Sequence, residues 1–236
     1  MIDARRHDAA GALDPALRAN VLARHREQAL ELIADALAEW RATGYTRYDD
    51  REVSCTVRVL DAMLRILRAR EHVELVQIFP QIEGTETTPD QLAGRSDFSK
   101  AKRADLVLYL GGSHSHRLCV ECKRLYQSAN GAEYTKNGIL RFVRGDYTGD
   151  RGRAMMVGYV MSKTIPARTA EINAAISSHP DLGQAHRLGP RAPVSAISDA
   201  HQSMHKPAGL TLTHLFVDMR TRAPSHRQSH RDPRSN

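Results

Sequence analysis

The sequence predicts an α/β fold in which helices flank a mixed central sheet. Three observations predict it. Two long stretches near the start of the chain repeat apolar residues at helical spacing. Short apolar runs of strand length, bounded by turn residues, fill the middle. The order along the chain is helix, strand, strand, strand, helix, strand, which suits a sheet covered on both sides.

Asp14-Pro15 reads as an N-cap followed by a proline at the first helical position. Leu30, Ile33, Leu37 and Trp40 keep the spacing, so a long amphipathic helix is expected over 14–42, ending at Gly44. A second helix follows the stretch YDDRE and runs to about residue 70, with Val53, Val57, Leu60, Leu64 and Leu67 as its buried face. Strands are expected over 73–82, 104–110 and 116–125, the last two joined as a hairpin by the turn composition GGSHSH. A third helix over 134–146 buries Ile139, Leu140, Phe142 and Val143. The run AMMVGYVM at 154–161 has the all-apolar character of a strand covered on both faces. Pro166 opens a further helix to about 177, residues 179–209 are largely loop, and 210–219 is the last strand. Three regions result: a helical extension over 1–44, a main domain over 45–220, and a basic tail over 221–236 that reads as disordered.

The chain has 236 residues, enough for one domain with a proper core. No apolar run approaches the ~18 residues that span a bilayer, so no membrane partner is expected. The first residues lack the apolar stretch of a secretory signal, and three cysteines make no disulfide framework, so a cytoplasmic setting is expected. Lys and Arg number 34 against 27 acids, a formal charge of +7. That surplus favours a polyanion such as nucleic acid; a bias of genome composition towards Arg and Ala accounts for it equally well.

The stretch RLCVECKRL, residues 117–125, carries the chemistry. Cys119 and Cys122 suggest a zinc or redox pair. In a strand, however, alternate side chains point to opposite faces, so these two cysteines diverge. Cys119, Glu121 and Lys123 share one face instead. On the neighbouring strand, Asp105 stands beside an apolar run, an expensive place for a lone carboxylate. Two carboxylates on adjacent strands suit a hard cation such as Mg²⁺, with the Cys122 carbonyl as a third oxygen. Lys123 would then orient the attacking water near a phosphate. The alternative is an ordinary Glu–Lys pair on an exposed hairpin.

Asp105, followed sixteen residues on by Glu121-Cys122-Lys123, resembles the PD-(D/E)XK nucleases of restriction-endonuclease-like fold. The likeness covers roughly residues 48–220. Ala104 stands where the family often has proline. The resemblance implies an αβββαβ core and a nuclease dependent on Mg²⁺ (Mn²⁺ substituting), of restriction or phage-defence type, with DNA as the preferred substrate. It implies catalytic and metal roles for Asp105, Glu121, Lys123 and the Cys122 carbonyl. Glu52 matches the acid that many members carry early in the first core helix, though Asp49 and Glu52 also fit a capping box. The helix after the hairpin is often sent across the substrate backbone. Arg141 and Arg144, and Arg151 and Arg153 beyond them, are thus candidate phosphate contacts; a solvated helix face is the other reading. His205 and His214 are candidates for phosphate binding or proton transfer. A homo-oligomer or a partner such as a helicase or sensor subunit is expected, with the N-terminal helix as the docking surface unless it packs on its own core. Two other functions compete: a noncatalytic nucleic-acid-binding or scaffold subunit, and a basic zinc-binding regulator.

Overall fold

The computed structural model of the chain describes residues 15–43, 52–69, 78–86, 102–111, 113–126, 129–147, 152–206 and 209–220. Helices α1 (Pro15–Thr43) and α2 (Glu52–Ala69) precede strands β1 (Ile78–Glu86), β2 (Lys102–Leu110) and β3 (Ser113–Leu125). Helix α3 covers 130–143 in three parts: Asn130–Tyr134, a π-helical turn Thr135–Ile139, and Leu140–Val143. Strand β4 (Arg153–Val160) and helix α4 (Ile165–Ser178) follow, then β5 (Gly189–Pro190), β6 (Ala200–His205) and β7 (Leu210–Asp218).

The strands form one seven-stranded sheet in the order β1-β2-β3-β4-β7-β6-β5. The β3–β4 and β4–β7 pairs are parallel and the others antiparallel, so the sheet is mixed, as expected. Its outermost strands, β1 and β5, carry Pro80 and Pro190.

Strand alternation sorts the core into two layers. Leu106, Leu108, Val120, Cys122, Met155, Val157, Leu215 and Val217 face one side, where α1 and α2 cover them. Val107, Cys119, Leu125, Met156, Val160, Leu212 and Phe216 face the other, under α3 and α4. The distal half of α1 is fully part of the first layer, with Leu32, Ile33, Leu37 and Trp40 buried and Trp40 edge-on to Tyr159 at 5.4 Å. The apolar face expected to dock a partner thus packs on the chain's own core.

Several expectations need correction. The buried face of α2 is centred on Cys55, Val59, Ala62 and Met63; of the expected line, Leu60 and Leu67 pack partly buried against the core, while Val53 and Val57 are exposed. The small side chains of Cys55 and Ala62 let α2 approach the core, and the helix has turned to present them. Strand β1 begins at Ile78, while residues 73–77 of the expected strand lie outside the described residues. The stretch read as largely loop over 179–209 is mostly that, but it also holds β5 and β6, short strands with too little alternation to announce themselves. Helix α4 matches its reading: Thr164 caps it by accepting from Ala167 N at 3.3 Å, and Pro166 sits in the first turn. The tail 221–236 lies outside the described residues.

Candidate active site

The site forms where two paired strands part. The β2–β3 ladder runs inward from the hairpin as far as Leu106↔Val120. Beyond that pair, two N–H groups on alternate residues of β3 find side-chain acceptors instead of a neighbouring strand. Cys122 N donates to Asp105 Oδ2 at 2.7 Å, and Arg124 N donates to Glu52 Oε2 at 3.2 Å. Asp105 comes from β2 and Glu52 from the first turn of α2, so three elements meet at the fork. Glu52 is turned to this site and not back to its own helix; Asp49, its expected capping partner, lies outside the described residues.

Lys123 occupies the centre. Its Nζ lies 2.8 Å from Glu52 Oε1, 3.0 Å from Glu121 Oε1 and 3.9 Å from Asp105 Oδ2, and it donates to the Cys122 carbonyl at 2.9 Å. Burial acts to lower the Lys123 ammonium, but Glu121, Glu52 and Asp105 outweigh it and hold it above the ordinary lysine range. Burial pushes the Asp105 carboxyl up to about 7, with Glu121 adding to the rise and Lys123 opposing it.

Glu121 is fully buried and yet has three cationic or hydroxylic partners. Oε1 accepts from Lys123 and from Arg141 Nη1 at 2.9 Å; Oε2 accepts from the Tyr147 hydroxyl at 2.6 Å. Arg141 also donates to the Tyr147 oxygen at 2.8 Å. Burial, then Glu121, raise the Tyr147 hydroxyl far above its ordinary value, so it stays a donor.

Helix α3 delivers Arg141 by lying across a row of the sheet. Glu121, Met156 and His214 stand level on β3, β4 and β7. Tyr134 bonds His214, Gly138 packs on the Met156 methyl, and Arg141 reaches Glu121, a stripe at i, i+4 and i+7. The π-helical turn lies inside this stripe; such turns insert an extra residue and frequently sit at functional sites.

The remaining candidates are placed elsewhere. Arg141 is turned towards Glu121 with part of its side chain still open to solvent, whereas Arg144 is exposed and paired with Asp181 at 2.9 Å. Arg153 opens β4, five residues before Gly158, the residue level with Lys123. At strand rise that is about 16 Å away, so Arg153 is not part of the cluster. Arg151 lies outside the described residues. His205 and His214 are buried in a separate polar chain: Tyr134 hydroxyl to His214 Nδ1 (3.0 Å), His214 Nε2 to Ser203 (2.8 Å), Ser203 to His205 Nε2 (2.8 Å), His205 Nδ1 to His186 (3.0 Å). Burial first, then the neighbouring histidines, lower both rings, His205 to about 4, so neither is charged near neutrality. The two rings are thus tied to each other through Ser203 and do not join the Lys123 cluster. Cys119 and Cys122 are buried in opposite layers.

Among the described residues no three His, Cys, Asp or Glu side chains stand close enough to hold a metal ion, because the Lys123 ammonium lies between the acids. The donor set nonetheless fits a hard cation. Three carboxylates (Glu52, Asp105, Glu121) face two cations (Lys123, Arg141), leaving the cluster with one negative charge in excess once Asp105 is ionised. Tyr147 escaped the sequence reading because it lies in a loop without periodicity; a buried acid in need of donors was the only signal. Compared with known proteins, the chain matches no family model, no curated protein and no solved structure.

Proposed function

We propose that the chain is a divalent-metal-dependent nuclease of PD-(D/E)XK type that hydrolyses phosphodiester bonds, with DNA as its substrate. The observation that carries this reading is the convergence of Glu52, Asp105, Glu121 and Lys123 at the fork between β2 and β3. The element order α2-β1-β2-β3-α3-β4 supports a restriction-endonuclease-like core, extended here by α1, α4, β5, β6 and β7. The basic surplus of the chain suits a polyanionic substrate.

Asp105, Glu121 and the Cys122 carbonyl would hold Mg²⁺ or Mn²⁺ as an oxygen-only set, with Glu52 at its margin. When bound, such an ion activates water and screens phosphate charge. Lys123 keeps its proton and presents it to the attacking water and a phosphate oxygen. Tyr147 fixes the rotamer of Glu121, and Asp105 ties the end of β2 to β3 through Cys122 N.

Glu121→Ala or Asp105→Ala is expected to abolish cleavage of duplex DNA in Mg²⁺ while the far-UV spectrum stays that of the parent. Lys123→Ala should lose turnover, by at least a hundredfold for a lost proton-handling group, yet still bind Mg²⁺ by calorimetry. Cleavage at the parental rate by Glu121→Ala would sink the assignment. DNA binding without cleavage by the parent protein, under every divalent ion, would favour the noncatalytic subunit instead.

A further inference from the structure

Glu121 has more positive partners than a metal ligand can keep. Oε1 is shared by Lys123 at 3.0 Å and Arg141 at 2.9 Å. A divalent ion bound to this oxygen takes its lone-pair space and repels both neighbours, so one must leave. Lys123 is held by Glu52 and Asp105 as well as Glu121, and its side chain is only 10% exposed. Arg141 is held by Glu121 and the Tyr147 hydroxyl, and its side chain is 36% exposed. The arginine has fewer anionic partners and an open side through which to turn.

We propose that Arg141 is a latch released by the metal: without the ion its guanidinium neutralises Glu121, and with the ion it is freed to grip a phosphodiester oxygen of the substrate. This rests on the metal-dependent reading above and gives it an order, ion first and backbone grip second. The planar guanidinium fork matches phosphate oxygens as well as it matches a carboxylate. Arg141 is anchored in Leu140–Val143, behind the packed contact of Gly138 on Met156, so a side-chain rotation suffices. Tyr147 plays the opposite part: its bond is to Oε2, which the ion at Oε1 leaves undisturbed. It is a positioning residue.

Calorimetric titration of Mg²⁺ into the full chain, with no nucleic acid present, separates these roles by sign. Arg141→Gln removes a competing cation and should bind Mg²⁺ about tenfold more tightly. Tyr147→Phe leaves Oε2 without its orienting donor and should bind more weakly. An arginine that merely supports Glu121 would give weaker binding in both variants, which overturns the latch; so does an unchanged affinity in Arg141→Gln. Parent protein that takes up no Mg²⁺ removes the metal reading itself, and the latch with it. A second arm uses no metal. In chelator, Glu121→Gln deletes the anion that holds Arg141 and should bind duplex DNA several-fold more tightly than the parent. Arg141→Gln added to it should cancel that gain, while Asp105→Asn, at pH 8.5 an equal change of charge that leaves the Arg141 bond intact, should gain less. A gain that survives in the double variant shows that another group makes the contact, and the proposal falls.

Discussion

Asp105 titrates about three pH units above its ordinary 3.8 in the folded chain, at about 7, because it is buried and faces Glu121. Between those two values the folded protein holds a proton that the unfolded chain has already lost. Stability therefore falls as pH rises through this window, by on the order of 4 kcal/mol in all, and levels off above it. Asp105→Asn should flatten the fall and be the more stable protein at pH 8, as chemical denaturation across the pH range would show; equal slopes in both proteins contradict it. Because protons and cations compete for the same oxygens, thermal stabilisation by Mg²⁺ should grow as pH passes 7. At this scale the sequence was most legible. Strand alternation alone placed Glu121 with Lys123 and separated Cys119 from Cys122, since period two is a rigid rule of the backbone. It had no purchase on Tyr147, whose loop has no period, or on the inward turn of Arg141, which is a matter of rotamer.

Helix α3 shows why an element can be foreseen in kind and missed in shape. Its apolar spacing announced a helix, but the π-helical turn that adjusts its phase leaves no mark in composition. Two of its glycines test the packing. A Cβ at Gly131 would lie 2.9 Å from the Glu171 backbone of α4, which cannot yield, whereas at Gly138 it would press on the end of the Met156 side chain, which can. Alanine also gains roughly 1 kcal/mol of helix propensity over glycine. Gly138→Ala should thus stay within about 1 kcal/mol of the parent, and Gly131→Ala should lose about 1–3 kcal/mol, the usual range for overpacking. Urea denaturation gives the order directly, and the reverse order would mean that α3 and α4 do not meet as described. The strands β5 and β6 were missed for a different reason. Gly189–Pro190 is two residues long, and Ser203 and His205 put polar groups on a face that is buried. Their hydrogen-bonded chain makes that burial affordable, but a hydrogen-bond chain cannot be seen in a hydropathy pattern.

For the whole molecule, the formal +7 describes an attraction but gives no direction to it. On the proposed nuclease reading two arginines differ: Arg144 is exposed just past the end of α3, the helix that reaches the fork, while Arg153 opens β4 away from it. Arg144→Ala should flatten the plot of log DNA affinity against log salt by about 0.9, one phosphate contact on duplex DNA, and Arg153→Ala should leave it unchanged. Anisotropy titrations across a salt series measure both, and the opposite pattern would place the duplex at the other end of the sheet. The class of fold was readable because helix and strand periods differ sharply. The role of α1 was not, since an amphipathic helix looks the same whether it covers its own core or awaits another chain.

The proline of one outermost strand bears on how this protein can assemble. Sheet borders are adhesive, since each exposes unused donors and acceptors to any extended chain that drifts alongside. A proline in such a strand turns a nitrogen without hydrogen to the outside, so an incoming strand finds a gap in the ladder. Pro190 does this on the β5 border: the next residue, Arg191, donates its N–H inward to Ala200 O at 3.0 Å, so the Pro190 nitrogen faces out. Among the described residues, the β5 border thus lacks a donor where an incoming strand would look for one. That border is a poorer template for an added strand than a helix face is for a companion, because on a helix face side chains and not a continuous ladder make the contact.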